Sequence, residues 1–116
     1  MGKIIVRDKS FEFAVRIVNL SIFLRDDKRE FILSKQILRS GTSIGANIEE
    51  ASGGISKADF KNKLSIAYKE ARETHYWIRL LKDTDYLSVE EADSLLKDVD
   101  ELLRIIGSIQ KTLRNS

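Results

Sequence analysis

Apolar positions recur with a helical period along nearly the whole chain and divide it into four segments. In the first, Phe13, Ile17, Leu20 and Leu24 repeat at spacings of 4, 3 and 4, and Phe11, Ala14, Val18 and Ser21 widen the stripe. So wide a stripe predicts a helix buried over much of its circumference. Ser10 stands in an N-cap position, which starts this helix there and leaves residues 1–9 as an N-terminal arm. Ile4–Val6 in that arm suits a short strand or docking on a neighbour. Asp26-Asp27-Lys28-Arg29 then interrupts the pattern, and Asp27 with Glu30 has the form of a capping box for a second helix. Leu33, Ile37, Ile44, Ile48 and Ala51 make the apolar face of that helix, and Ser52-Gly53-Gly54 end it.

The third segment has the clearest start. Ser56 is the N-cap, Asp59 follows at the third helical position, and Ile55 with Phe60 forms a hydrophobic staple. Phe60, Leu64, Ala67, Ala71, Thr74, Ile78 and Leu81 then alternate spacings of 4 and 3, the seam of a helical bundle. The fourth segment repeats the start with Leu87, Ser88, Glu91 and Ala92. Its broad apolar face comprises Ala92, Leu95, Leu96, Val99, Leu102, Leu103, Ile106, Ile109 and Leu113. Short connections at 26–29, 52–55 and 84–87 make successive helices antiparallel. The predicted fold is all-α: an up-down-up-down antiparallel four-helix bundle over residues 10–116.

One stretch departs from good helix composition. Arg39–Glu50, RSGTSIGANIEE, lies inside the second helix yet contains Gly41 and Gly45, each costing about 1 kcal/mol relative to Ala. Ala67 and Ala71 of the third helix are also small, which predicts a close approach of helices two and three. Beside the glycines, Gln36, Ser40, Ser43, Asn47 and Glu50 form a polar stripe at spacings of 4, 3, 4 and 3. A half-buried network that sets register against helix three is the favoured reading, with Ser43, Asn47 and Glu50 meeting Lys69, Glu70 or Glu73. A ligand or subunit contact is the alternative. Ser40 and Ser43 have no partner base nearby in sequence, so they form no nucleophile signature.

Composition narrows the function classes. The 116 residues suit one domain. No apolar run approaches the roughly 20 residues of a membrane span, and the N-terminus lacks a signal-peptide core of about 7–15 apolar residues. The absence of Cys excludes disulfides and thiolate metal sites, and the single His75 excludes a multi-His centre. Glu49, Glu50, Glu70 and Glu73 raise the possibility of a carboxylate di-metal bundle, but such bundles use Glu-x-x-His, and Arg72 is the residue three before His75. With no nucleophile–base pair, phosphate loop or metal cluster, the expectation is a non-enzymatic protein without cofactor, and a cytoplasmic location is the simplest.

The net charge of +2 says little, but its distribution says more. Residues 56–83 carry +3 and residues 84–116 carry −3. On the third helix Lys57, Lys61, Arg72, Arg79 and Lys82 fall in one sector with Tyr68 and His75. Such a stripe suits phosphates, with bases stacking on Tyr68. It also suits a solvated face, or a mate for the acidic fourth helix. Trp77 lies with Ile66 and Leu80 on a second apolar strip of this helix, which predicts burial against a neighbouring subunit.

The strings DKSFEFAVRIV at 8–18, SKQILRSGTSIGANIEEA at 34–51 and SKADFKNKLSIAYKEARETHYWIRLL at 56–81 together resemble a bacterial four-helix-bundle family, the 23S ribosomal RNA intervening-sequence proteins. Ser40, Ser43, Ile44, Asn47, Glu50, Lys69, Glu70, Glu73 and Trp77 occupy the matching positions of RS-x-x-SI-x-ANI-x-E and KEA-x-E-x-x-YW. Ala51-Ser52-Gly53-Gly54 departs from many relatives, a loop change of little functional consequence. The resemblance implies a ring-shaped homo-oligomer, a pentamer. A related branch, the accessory protein of diversity-generating retroelements, associates with reverse transcriptase and nucleic acid. The expectation is therefore a homopentameric accessory or scaffold protein that binds RNA or DNA through Lys57, Lys61, Tyr68, Arg72, Arg79 and Lys82. In this reading the polar seam and Trp77 direct assembly. The rival is a pure protein-interaction scaffold in which the basic stripe pairs with helix four.

Overall fold

The computed structural model describes residues 2–54 and 56–115, with side chains from Ile5 onward. Four helices fill it: α1 (Gly2–Asp26), α2 (Leu33–Ser52), α3 (Lys57–Asp83) and α4 (Val89–Arg114). Helices adjacent in sequence pack side by side, α4 closes back on α1, and α1 and α3 lie at diagonal corners of a bundle 46 × 22 × 18 Å across. The all-α antiparallel four-helix bundle expected from periodicity is the observed fold.

The core is the set of faces the spacings predicted. Ile37, Ile44, Ile48 and Ala51 of α2 are buried, as are Leu64, Ala67, Ala71, Thr74, Ile78 and Leu81 of α3. Ala92, Leu95, Val99, Leu102 and Ile106 complete it from α4. The Ser56 and Ser88 side chains each accept a hydrogen bond from the backbone N–H three residues on, Asp59 and Glu91, at 3.0 and 3.1 Å. The expected staple partner Ile55 lies outside the described residues.

Three local expectations are corrected. Residues 2–9 form no separate arm: they are the first turns of α1, and Ser10 lies inside that helix rather than capping it. The buried stripe begins earlier, with Val6, Ser10 and Phe13 at spacings of 4 and 3, and the Ser10 hydroxyl is satisfied by the Arg7 carbonyl at 3.0 Å. Asp27 does not open α2. Its N–H closes α1 on the Phe23 carbonyl at 2.9 Å, the chain turns at Arg29 (φ 55°), and α2 begins at Leu33. Glu30 is the cap, its carboxylate accepting from the N–H groups of Ser34 (2.8 Å) and Ile32 (3.3 Å). Finally, α1 is not buried around most of its girth. Phe11 and Val18 are exposed, at 66% and 40%, because a single bundle has only one core for each helix to face.

The glycines of α2 serve a different neighbour from the one expected. A Cβ on Gly41 would sit 2.7 Å from two side-chain carbons of Ile17, and one on Gly45 would sit 3.2 Å from the Ser10 carbonyl oxygen. Both glycines therefore let α1, not α3, approach α2. Ser10 and the glycines are small on facing helices, and the contact is close to backbone on backbone.

Candidate nucleic-acid interface

The α3–α4 pair runs in a simple antiparallel register. Lys82 bonds Asp93 at 2.8 Å, His75 Nε2 lies 3.2 Å from Asp100, and Tyr68 packs where Gly107 leaves room, 3.7 Å from a Cβ built there. In each pair the α3 residue is seven earlier and the α4 residue seven later, so two heptad stripes face each other along a groove. Near its middle the groove encloses about 300 Å³ between Tyr68, Arg72, His75, Arg79, Asp100 and Leu103. Farther along, Lys61, Ser65, Gln110, Leu113 and Arg114 line a smaller hollow of about 180 Å³.

This register divides the predicted basic stripe in two. At the end near the α3–α4 turn the charges are engaged. The Lys82 ammonium is shifted further toward its charged form by the hydrogen bond to Asp93 first and by that residue's charge second. Arg79 donates to His75 Nδ1 at 3.1 Å and stacks over Tyr76, and His75 in turn faces Asp100. Lys61 at the other end and Arg72 near the middle are exposed, and among the described residues neither forms an ion pair. Lys57 borders a further hollow with Arg7 and Phe60.

Helix α4 adds cations that a net charge of −3 conceals. All seven acids of residues 84–116 fall between Asp85 and Glu101, and Arg104, Lys111 and Arg114 follow them. Because α4 is antiparallel to α3, its basic end lies beside Lys57 and Lys61. Averaging over the segment hid this. Reading charge along the helix rather than summed over it would have found it, since acids at the N-terminus and cations at the C-terminus complement the helix dipole.

The same register decides the polar seam on the opposite side of α3. Ser40 is fully buried and its hydroxyl lies 2.9 Å from that of Thr74, which is also 2.8 Å from the Glu70 carbonyl. Glu70 and Glu73 meet Arg39, which the sequence reading passed over, and Glu73 also accepts from the Trp77 indole at 2.9 Å. Glu50 pairs with Lys63 at 2.8 Å, not with Lys69, and holds that ammonium more firmly protonated through the hydrogen bond and then its charge. Asn47 donates to the Ser43 carbonyl of its own helix at 2.8 Å. Lys69 is exposed on the outer face of α3. So Ser40 and Glu50 join α2 to α3, but none of Ser43, Asn47 and Glu50 meets the residues named for it.

The sequence profile described as 23S rRNA-intervening sequence protein matches residues 2–108. The chain belongs to this family. Among solved structures, the intervening-sequence protein is similar to a protein of unknown function from the S23 ribosomal protein family of Bacteroides thetaiotaomicron. The two share 56% sequence identity and superpose with a TM-score of 0.94, over 96% of this chain and 99% of that one. A search of functionally curated proteins gives no match. Among the described residues of this intervening-sequence protein no three His, Cys, Asp or Glu side chains gather as a metal site would require, and no helix is long and apolar enough to cross a membrane.

Proposed function

We propose that this intervening-sequence protein is a non-enzymatic, homo-oligomeric accessory or scaffold protein of the cytoplasm. In this reading it forms a pentameric ring and holds nucleic acid at the basic end of its α3–α4 face. The supporting observation is the split stripe: Lys61, Lys111 and Arg114 gather at one end, with Arg72 and Arg104 nearer the middle, and none of them has a carboxylate partner among the described residues. Lysines and arginines there replace condensed counterions on phosphates, and the Tyr68 ring in the groove offers a stacking surface. One such patch is weak. Repeated around a ring it gains from effective concentration, so several weak contacts on one strand add to useful affinity. The candidate partners in this reading, supported by the family resemblance alone, are ribosomal RNA intervening sequences or a retroelement with its reverse transcriptase.

Fluorescence anisotropy with labelled single-stranded and duplex RNA and DNA tests the site. Binding is expected to fall steeply between 50 and 200 mM salt, and each lost phosphate contact flattens the log–log slope by about 1. Lys61→Glu with Arg72→Glu is expected to abolish it, whereas Lys82→Gln leaves it intact because that cation is already bound to Asp93. Unchanged binding in the Lys61→Glu, Arg72→Glu variant would sink the assignment. The ion-paired half of the groove favours a second reading, a pure protein scaffold in which α3 and α4 neutralise each other. That reading predicts no nucleic-acid retention even at low salt.

A further inference from the structure

The hollow in the middle of the α3–α4 groove contains one group that a phosphate has no use for. Its walls are Tyr68, Arg72, His75, Arg79, Asp100 and Leu103, so a carboxylate stands among the cations. Among the described residues the ion-pair partner of Asp100 is His75, whose Nε2 lies 3.2 Å from Oδ1, and the Asp100 side chain remains 54% exposed. Both nitrogens of His75 are engaged. Arg79 Nε donates to Nδ1 at 3.1 Å, which leaves the ring proton on Nε2, directed at Asp100. The imidazole thus holds the carboxylate by one oxygen. A carboxylate has about four lone-pair sites, so Asp100 keeps acceptor capacity toward the groove.

The rest of the hollow suits a flat ring. The half-buried Tyr68 and Leu103 give an apolar wall. A Cβ at Gly107 would already touch the Tyr68 ring at 3.7 Å, so a larger side chain there would cover it. Arg72 and Arg79 are exposed on the same wall of α3. With its Nε spent on His75, Arg79 retains its terminal nitrogens as donors. At about 300 Å³ the hollow is at the small end of ligand pockets, which limits it to a single base rather than a stacked run.

We infer that this hollow takes one unpaired guanine of a single-stranded nucleic acid, its ring against Tyr68 and Leu103 and its N1–H and N2–H donors on Asp100. The carboxylate selects the base. Guanine has two adjacent donors on its Watson–Crick edge. Adenine and cytosine have one amino group beside an acceptor, and uracil has one N–H between two carbonyls, so each of them turns an acceptor toward the carboxylate. Guanine also carries O6 and N7, the acceptor pair that arginine reads, and Arg72 and Arg79 supply donors. Its N1 and N2 groups are occupied in a duplex, so the site requires an unpaired base. The selectivity rests on the nucleic-acid reading above: phosphate contacts position the strand, and Asp100 specifies the base.

The test is fluorescence anisotropy with a labelled single-stranded pyrimidine RNA carrying one central guanine, and with the same strand carrying adenine or inosine there. Wild-type protein is expected to bind the guanine strand about tenfold or more tightly than the adenine strand, the scale of a bidentate base contact. The margin over inosine, which lacks only the N2 amino group, is expected to be smaller. The guanine-to-adenine ratio should hold as salt rises, because a base contact releases no counterions. Asp100→Asn, checked by circular dichroism, is expected to erase the guanine preference. Removing a negative charge strengthens phosphate binding for every strand alike, so the ratio rather than the affinity is the readout. Equal wild-type affinity for the three strands overturns the guanine site and leaves the basic end standing as a nucleic-acid surface. A guanine preference that survives Asp100→Asn overturns it as well. Absence of binding to any strand at low salt overturns both readings. GMP, the same base without a strand, is expected to compete only far above the strand's own Kd. Competition by GMP at the strand's Kd would make the occupant a free nucleotide and overturn the strand assignment.

Discussion

Small residues decide how closely the helices of this protein approach. Gly41 and Gly45 each sit under an α1 residue, but the two contacts differ in kind. Gly41 faces the Ile17 side chain, and Gly45 faces the Ser10 backbone. Gly41→Ala is expected to destabilise by about 1–3 kcal/mol through overpacking, despite the better helix propensity of Ala. Denaturant melts should show that Ile17→Ala relieves part of this, so the double variant is more stable than the sum of the singles. Gly53 is the control. A Cβ there meets nothing nearer than 3.9 Å, and its φ of −97° suits any residue, so Gly53→Ala should stabilise by about 0.4–1 kcal/mol. The Ser40–Thr74 hydroxyl pair follows another rule. Thr74→Val strands the buried Ser40 hydroxyl and should cost about 1–3 kcal/mol, whereas Thr74→Val with Ser40→Ala removes both partners and should recover most of it.

At the scale of the element, the four helices differ in how they start. α3 and α4 are capped by serines three residues before an acid, a signal confined to four consecutive residues and so legible in sequence. α2 is capped by Glu30 from two residues outside its Ile32 N-cap position, after a turn through positive φ at Arg29. Nothing in the string Asp27-Lys28-Arg29-Glu30 distinguishes an acid that begins a helix from one that closes the previous one. Thermal melts separate the two: Glu30→Ala should cost about 1 kcal/mol, as a lost cap does, and Asp27→Ala a few tenths at most. For α1 the misreading came from Ser10. A serine at the edge of an apolar run reads as a cap, but here it is the small residue that Gly45 requires opposite it. The apolar positions beyond the core face, Phe11 and Val18 among them, were legible as apolar but not as exposed.

Across the whole molecule, charge and assembly are linked. Toward the α3–α4 turn Lys82 of α3 is held by Asp93 of α4, whereas at the opposite end Lys61, which forms no ion pair among the described residues, adjoins Arg114, which gives the bundle a basic pole. The proposed oligomer would present one such pole per subunit. Phe11 and Val18 are exposed on α1, away from the pole, so Phe11→Asp with Val18→Asp leaves the pole untouched; where sedimentation shows that it dissociates the oligomer, nucleic-acid affinity by anisotropy should fall by about 100-fold or more as avidity is lost. Sequence alone determined that four helices form, the Ser56 and Ser88 caps and the seam from Leu64 to Leu81. Those depend on neighbours within a turn or two, and burial of one face per helix enforces the period. Tertiary structure decided which helix the glycines face, that Glu50 meets Lys63, which half of the basic stripe is spent on ion pairs, and which apolar stripe has no partner. Each of these depends on register between helices tens of residues apart, and a shift of one turn would exchange every partner while leaving each helix's own pattern unchanged.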